Sequence, residues 1–137
     1  MNKPLNVAIL IFDDVEVLDF SGPFEVFSVA NRDIQPPLFN VFTVAESETI
    51  VARGGLKVHR SCSLDECPTP DVLLVPGGVG IRRMLERPDI IQWVKAQSEQ
   101  SQLVTSVCTG ALLLGRCGLL DEISATTHHR CIGIPCE

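Results

Sequence analysis

Leu103-Val104-Thr105-Ser106-Val107-Cys108-Thr109-Gly110-Ala111-Leu112-Leu113-Leu114 carries a β-rich run into a helix-forming run through a single cysteine. Leu103 to Val107 is too short for a helix and reads as a buried strand, while Gly110 opens a helix that Gly118 is placed to stop. A strand that passes straight into a helix belongs to a parallel α/β architecture. Ser106 and Gly110 flank Cys108 two positions away on either side. Small residues are needed there because strand and helix crowd each other at a sharp nucleophile elbow, where the backbone is strained. Unpaired N–H groups at the start of the helix should stabilise a thiolate and pull the Cys108 pKa below the ordinary value of ~8.5. Most free cysteines are simply small buried hydrophobes, and that is the plainer reading of the same residue.

Working outward, Val7-Ala8-Ile9-Leu10-Ile11-Phe12 is a continuous apolar run of strand length, buried on both faces. Ser21-Gly22-Pro23-Phe24-Glu25 then offers a glycine cap, a proline at the first helical position and an acid for the helix N-terminus, so a helix is expected from about Pro23 to Asn31. Phe39 to Val44 alternates as a second strand after Pro36-Pro37. Val51-Ala52-Arg53, Gly54-Gly55 and Leu56-Lys57-Val58 suggest a small hairpin beside the main sheet. Ser63-Leu64-Asp65-Glu66 has capping-box spacing, and Asp71 to Val75 is another buried strand. Helical periodicity covers Ile81 to Leu85 and, after Pro88, Ile90, Ile91, Val94 and Ala96, with a solvated end from Gln97 to Gln102. Strands alternating with helices give an α/β fold, a flavodoxin-like doubly wound parallel sheet with helices on both faces.

The 137 residues suit one domain, and 45% hydrophobic with 20% charged residues is a globular composition rather than a disordered or fibrous one. A net charge of −6 with scattered acids argues against a nucleic-acid partner. No apolar stretch approaches the ~20 residues a bilayer needs and no signal peptide is read, so neither a membrane partner nor secretion is expected. A reducing cytoplasm then leaves most of the six cysteines as free thiols. His59 with Cys62 and Cys67, and His128 and His129 with Cys131 and Cys136, lie close in sequence, but no Cys-x-x-Cys occurs and no metal is expected.

In a doubly wound sheet ligands collect beyond the carboxyl ends of the strands, and three such ends here are Asp13 to Asp19, Pro76 to Gly80, and Cys108. Their convergence gives each a role. Cys108 attacks, N–H groups at Gly78 and Thr109 receive developing negative charge, and an acid after the first strand handles a proton. Spacing alone leaves that acid open among Asp13, Asp14, Glu16 and Asp19.

These stretches, together with Leu18-Asp19-Phe20-Ser21-Gly22-Pro23-Phe24-Glu25-Val26, Asp71 to Gly78, Gly118-Leu119-Leu120-Asp121 and Ala125-Thr126-Thr127-His128, resemble the DJ/ThiJ/PfpI superfamily of the class I glutamine amidotransferase-like fold. The likeness defines a domain over residues 1–128 and a divergent tail over 129–137. Leu-Asp-x-x-Gly-Pro with Val-Cys-Thr-Gly is similar to the isonitrile hydratase branch and to the sensor domains of AraC-type transcription regulators. For the hydratase branch the resemblance implies Cys108, Asp19 and Thr109 as catalytic residues. Gly77, Gly78, Gly110 and His128 would serve oxyanion and substrate binding. The Cys108 thiolate would add to the terminal carbon of an organic isonitrile, and water, positioned by Asp19 and Thr109, would release an N-substituted formamide. The same likeness implies a small-molecule substrate, no cofactor and a homodimer. Glu25 is the alternative acid if the protease or chaperone branches are the better match.

After His128 the family pattern fails: His129-Arg130-Cys131-Ile132-Gly133-Ile134-Pro135-Cys136-Glu137 has no helical period, as in a truncated chain. Such a chain is expected to leave an apolar sheet face and one side of the pocket uncovered, with lowered stability and a loss of activity. Two other functions fit the same elbow. One is a ligand-sensing domain of an AraC-type regulator without its DNA-binding part, and the other is a redox-sensing protein whose Cys108 is oxidised rather than turned over.

Overall fold

The apolar run at the start of the chain forms the middle of the sheet. In a computed structural model that describes residues 3–132, strand β1 (Leu5–Leu10) is flanked on both sides by parallel partners. Every residue from Val7 to Phe12 is at most 5% exposed, because helices cover both faces of a central parallel strand. β2 (Phe39–Ala45) pairs with β1 from Leu5↔Phe39 to Leu10↔Val44, and β6 (Val72–Val75) pairs on the other side from Val7↔Val72 to Ile9↔Leu74. A two-residue β5 (Cys62–Ser63), which the sequence does not announce, extends the sheet beyond β2. β7 (Leu103–Ser106) closes the other edge, giving the order β5-β2-β1-β6-β7, all parallel.

Chain direction across this sheet decides where a ligand can sit. From β1 the chain crosses through α1 (Val17–Val29) to β2 on one side, whereas from β6 it crosses through α2 (Ile81–Met84) and α3 (Pro88–Gln100) to β7 on the other. Right-handed crossovers in opposite directions put α1 and the α2–α3 pair on opposite faces. α4 (Gly110–Arg116) packs on β6, β7, α2 and α3 and so shares the second face. The switch point lies between β1 and β6, and the ends of β1, β6 and β7 open on its C-terminal side.

The small hairpin lies beside the main sheet, with β3 (Thr49–Val51) antiparallel to β4 (Lys57–His59). Its connection is a 3₁₀ turn at Arg53–Gly55, and Gly54 and Gly55 hold φ of 81° and 90°. Glu66 N–H donates to Ser63 Oγ at 3.2 Å, the first bond of a capping box, while Ser63 Oγ donates to Glu66 Oε1 at 2.7 Å, a bond between side chains rather than the return bond to the Ser63 backbone.

Two expectations are corrected. The first helix begins at Val17, with Glu16 as its N-cap, and not at Pro23. Pro23 lies inside the helix, where its missing N–H deprives the Asp19 carbonyl of the usual partner. Gly22 is therefore an interior residue rather than a cap. The expected burial of Leu103 to Val107 also fails. Leu103 is 54% exposed and Val104 to Val107 are half-buried, because β7 has a neighbour on one side and is an edge strand among the described residues. Gly118 does stop α4, at φ 76°.

Candidate active site

Three turns that follow β1, β6 and β7 are tied to one another by backbone atoms. The Glu16 N–H donates to the Gly77 carbonyl at 2.9 Å, joining the turn after β1 to the turn after β6. Val107 N–H donates to the Val75 carbonyl at 3.1 Å, so β6 also guides the chain into the elbow. Cys108 then takes φ 55°, the left-handed region that a residue with a side chain seldom adopts. This is the strained backbone expected of a nucleophile elbow. Gly110 explains how the helix can start so close: a Cβ there would run into the Val75 carbonyl. Its N–H donates to Val107, so Gly110 serves the turn's packing rather than facing a ligand.

Among the acids after β1, Asp19 is the one that reaches the sulfur. It projects from the first turn of α1, where its Oδ2 accepts from the Gly77 N–H at 3.3 Å, and its carboxylate lies near enough to the Cys108 thiol for each group to shift the other's titration. Asp13 accepts from Val51 N–H at 2.9 Å, Asp14 pairs with Arg83 at 3.0 Å, and Glu16 is the exposed helix cap. Glu25 is exposed on α1.

Thr109 is placed from the opposite side. Its Oγ1 accepts from the Gly78 N–H at 3.0 Å. That amide, expected to face developing charge on a substrate, is thus engaged in holding Thr109. The backbone N–H of Thr109 itself favours the charged form of the Cys108 sulfur. Gly77 has no room for anything larger: a Cβ would lie 2.5 Å from Thr109 Oγ1, 2.6 Å from Thr109 N and 3.1 Å from Asp19 Oδ2.

The electrostatics correct one expectation. Burial pushes the Cys108 thiol up rather than down; the Thr109 N–H draws it back, and the Asp19 carboxylate adds to the rise. Asp19 is raised as well, first by burial and then by Glu16, against the pull of Gly77 N–H, the Cys108 thiol and His128. The sulfur and the carboxylate each shift the other, so their titration belongs to the pair.

His128 is half-buried and lies at the margin of this group. Its Nδ1 accepts from the Arg130 N–H at 3.2 Å, and its ring stacks on His129 at 4.3 Å. Its charge is the weakest of the influences on Asp19. Thr127, which sequence reasoning left without a role, donates from Oγ1 to the Cys108 carbonyl at 3.0 Å. Its signal was present in Ala125-Thr126-Thr127-His128, but nothing local to that stretch points to the elbow.

Other clusters do not assemble in this way. Cys62 and Cys67 face each other, while His59 pairs with Thr49 across the hairpin. Among the described residues no three His, Cys, Asp or Glu side chains gather closely enough to hold a metal ion; Cys136 lies outside those residues. A separate cavity of about 480 Å³ beside α2 is lined by Phe12, Ile50, Met84, Arg83 and Arg87 among others. Its arginines are already paired with Asp14, Glu46 and Asp89, and Cys108, Asp19 and Thr109 do not line it.

The described fold coincides with the span of a known family: the model of the DJ-1/PfpI family matches residues 5–132. This chain belongs to the DJ-1/PfpI family. Within reach of it, the isonitrile hydratase of Pseudomonas putida is 35% identical over 124 residues, which are 90% of this chain and 52% of that protein. The HTH-type transcriptional regulator GbdR of Pseudomonas aeruginosa is 28% identical over 131 residues, 95% of this chain and 35% of the regulator. A crystal structure of a THiJ/PfpI family protein from Pseudomonas syringae superposes with a TM-score of 0.77 at 25% identity, covering 85% of this chain and 47% of the other. The chain thus spans about half the length of the hydratase and about a third of the regulator. No helix among the described residues is long and apolar enough to cross a membrane.

Proposed function

We propose that this domain hydrates an organic isonitrile through a covalent adduct on Cys108. The observation that carries the reading is the convergence of Asp19 and Thr109 on the elbow: Gly77 N–H donates to Asp19 Oδ2 at 3.3 Å, Gly78 N–H donates to Thr109 Oγ1 at 3.0 Å, and Cys108 precedes Thr109 at φ 55°. An isonitrile carbon is unusual in that it must accept a nucleophile and a proton at one atom. A free thiolate supplies the first alone, whereas a thiol paired with a carboxylate supplies both.

The sulfur adds to the terminal carbon as its proton passes through Asp19 to that carbon, giving R–N=CH–S–Cys108. Water then adds to this thioimidate. Asp19, again a carboxylate, takes one proton from the water and delivers it to the nitrogen, giving R–NH–CH(OH)–S–Cys108; the C–S bond then breaks as the hydroxyl proton passes through Asp19 to sulfur. R–NH–CHO leaves and the thiol is restored, so the reaction consumes one water and needs no oxidant or cofactor. The Thr109 hydroxyl, held by Gly78, lies beside this carboxylate through Gly77 and is placed to orient the water.

A second reading is favoured by the likeness to the transcriptional regulator, which extends over 95% of the chain. In it the same pocket holds a small molecule without turnover, as the sensing domain of an AraC-type regulator. One experiment separates the two. Incubation with an alkyl isonitrile, followed by NMR, should yield the N-alkyl formamide with wild-type protein and none with Cys108→Ala or Asp19→Asn. A folded wild-type sample that makes no formamide rejects the hydratase reading; if the isonitrile still raises its melting temperature, the sensing reading gains.

A further inference from the structure

We infer that Thr127 is a positioning residue for the nucleophile, acting through the peptide plane between Cys108 and Thr109. The inference rests on Cys108 being the reactive group of the proposed reaction. It starts from a bond outside the three turns that build the site: Thr127 Oγ1 donates to the Cys108 carbonyl at 3.0 Å from 19 residues further along the chain.

A trans peptide unit is planar, and its carbonyl and amide hydrogen point in opposite directions. The carbonyl of Cys108 and the N–H of Thr109 belong to one such unit. Holding the carbonyl therefore fixes where the amide hydrogen points, and that amide is the one that favours the charged form of the Cys108 sulfur. Such control is needed at this position because Cys108 sits at φ 55°, where the local backbone preference does not itself maintain the conformation. Other bonds around the elbow do not do this. Among the described residues, Val107 N–H, Gly110 N–H and Leu112 N–H anchor the strand and the helix on either side, to Val75, Val107 and Thr109, and Thr127 holds the Cys108 carbonyl.

The geometry gives the sign of the effect. Releasing the carbonyl lets the peptide rotate, so the sulfur loses a donor that favours its charged form. The charged groups around the sulfur are Asp19 and, behind it, Glu16 from α1 and its cap, and His128 from the segment that carries Thr127. None of them is altered by a change at Thr127 that removes the hydroxyl alone.

The test is the pH dependence of Cys108 alkylation by iodoacetamide, read by peptide mass spectrometry from about pH 6 to about pH 10. Thr127→Val and Thr127→Ala should both shift the midpoint for Cys108 to higher pH, and Thr127→Ser, which keeps the donor, should restore the wild-type profile. In the hydratase assay the first two should lower kcat about tenfold with KM little changed, since the hydroxyl touches no substrate. Thr127→Ala guards against a folding failure of the valine variant, and circular dichroism confirms that each sample is folded. A folded Thr127→Val or Thr127→Ala with the wild-type alkylation profile overturns the inference, as does a serine variant that behaves like valine. If wild-type protein makes no formamide, the proposed reaction fails while the alkylation profile still decides the role of Thr127.

Discussion

Two turns of this protein carry cysteines that are half-buried and raised above the ordinary thiol range by the same cause, yet their surroundings suit them to different fates. In the turn closed by the Ser63–Glu66 hydrogen bonds, Cys62 and Cys67 face each other, and burial with the neighbouring sulfur pushes Cys67 up to about 12. At the elbow, burial also leads, but Cys108 has a carboxylate to accept its proton and an amide to receive its charge. Desolvation alone makes a thiol inert. Adding a base that is itself raised makes a thiol that keeps its proton at rest and can surrender it to a partner at the moment of attack. The difference lies in what faces the sulfur rather than in how deeply the sulfur is buried.

The largest effect should come from breaking the two regions one at a time. Cys108→Ala removes the sulfur on which the proposed adduct forms and should lower formamide production by about 10³-fold or more. Cys62→Ser and Cys67→Ser should leave it within about twofold, because neither residue touches the site. Alkylation should divide the same way: at pH 8 a thiol at about 12 is ionised to about 10⁻⁴, so Cys67 should remain unlabelled while Cys108 reacts. Equal labelling of Cys67 and Cys108, or loss of turnover in Cys67→Ser, would erase the distinction.

Gly77→Ala sharpens the comparison by damaging only the elbow. The added methyl would meet Thr109 Oγ1 and N and the Asp19 carboxylate, and of the two contacts under 3.0 Å the one to Thr109 N cannot be relieved by a side-chain movement. Thr109 N is backbone, so Gly77 and the elbow must move apart. A cost of about 1–3 kcal/mol is expected in urea unfolding, typical of overpacking. The alkylation profile of Cys108 should move with it, and that of Cys67 should not. Wild-type stability and reactivity in this variant would mean that the three turns are joined more loosely than their bonds indicate.

How far the sequence discloses this arrangement depends on whether a signal is local. Val7 to Phe12 and Asp71 to Val75 read correctly as inner strands because burial on both faces leaves continuous apolar runs. The elbow is legible because steric crowding demands small residues at fixed spacing, and Ser106 and Gly110 supply them. The start of α1 is not legible: Glu16 caps it without a side-chain hydrogen bond, and Pro23, which normally marks a helix start, occurs inside. Asp19 could be separated from Asp13, Asp14 and Glu16 by family likeness but not by spacing, since its selection comes from Gly77 and Cys108, 58 and 89 residues away. The state of the sulfur is not legible for a similar reason. Its position before a helix is written locally, whereas the burial and the carboxylate that outweigh that position are assembled by the fold.

Asp19→Asn gives the smallest expected effect on stability and tests the pairing itself. Folding raises the Asp19 pKa above its ordinary 3.8, chiefly by burial. A carboxyl raised on folding binds its proton more tightly in the native state, so its contribution is fully present below 3.8 and is lost as pH rises through the folded value. Asparagine does not titrate. Urea midpoints of wild type, measured against Asp19→Asn, should therefore fall as pH rises across that window and level off above it. A flat difference would show that Asp19 is not desolvated in the native protein. The same variant removes the charge and acceptor that help to push Cys108 up, so its alkylation midpoint should move to lower pH, opposite to the shift expected for Thr127→Val. Opposite shifts from substitutions on two sides of one sulfur distinguish a carboxylate that holds the thiol proton from an amide that receives the thiolate charge, whereas a general loosening of the elbow would move both variants the same way.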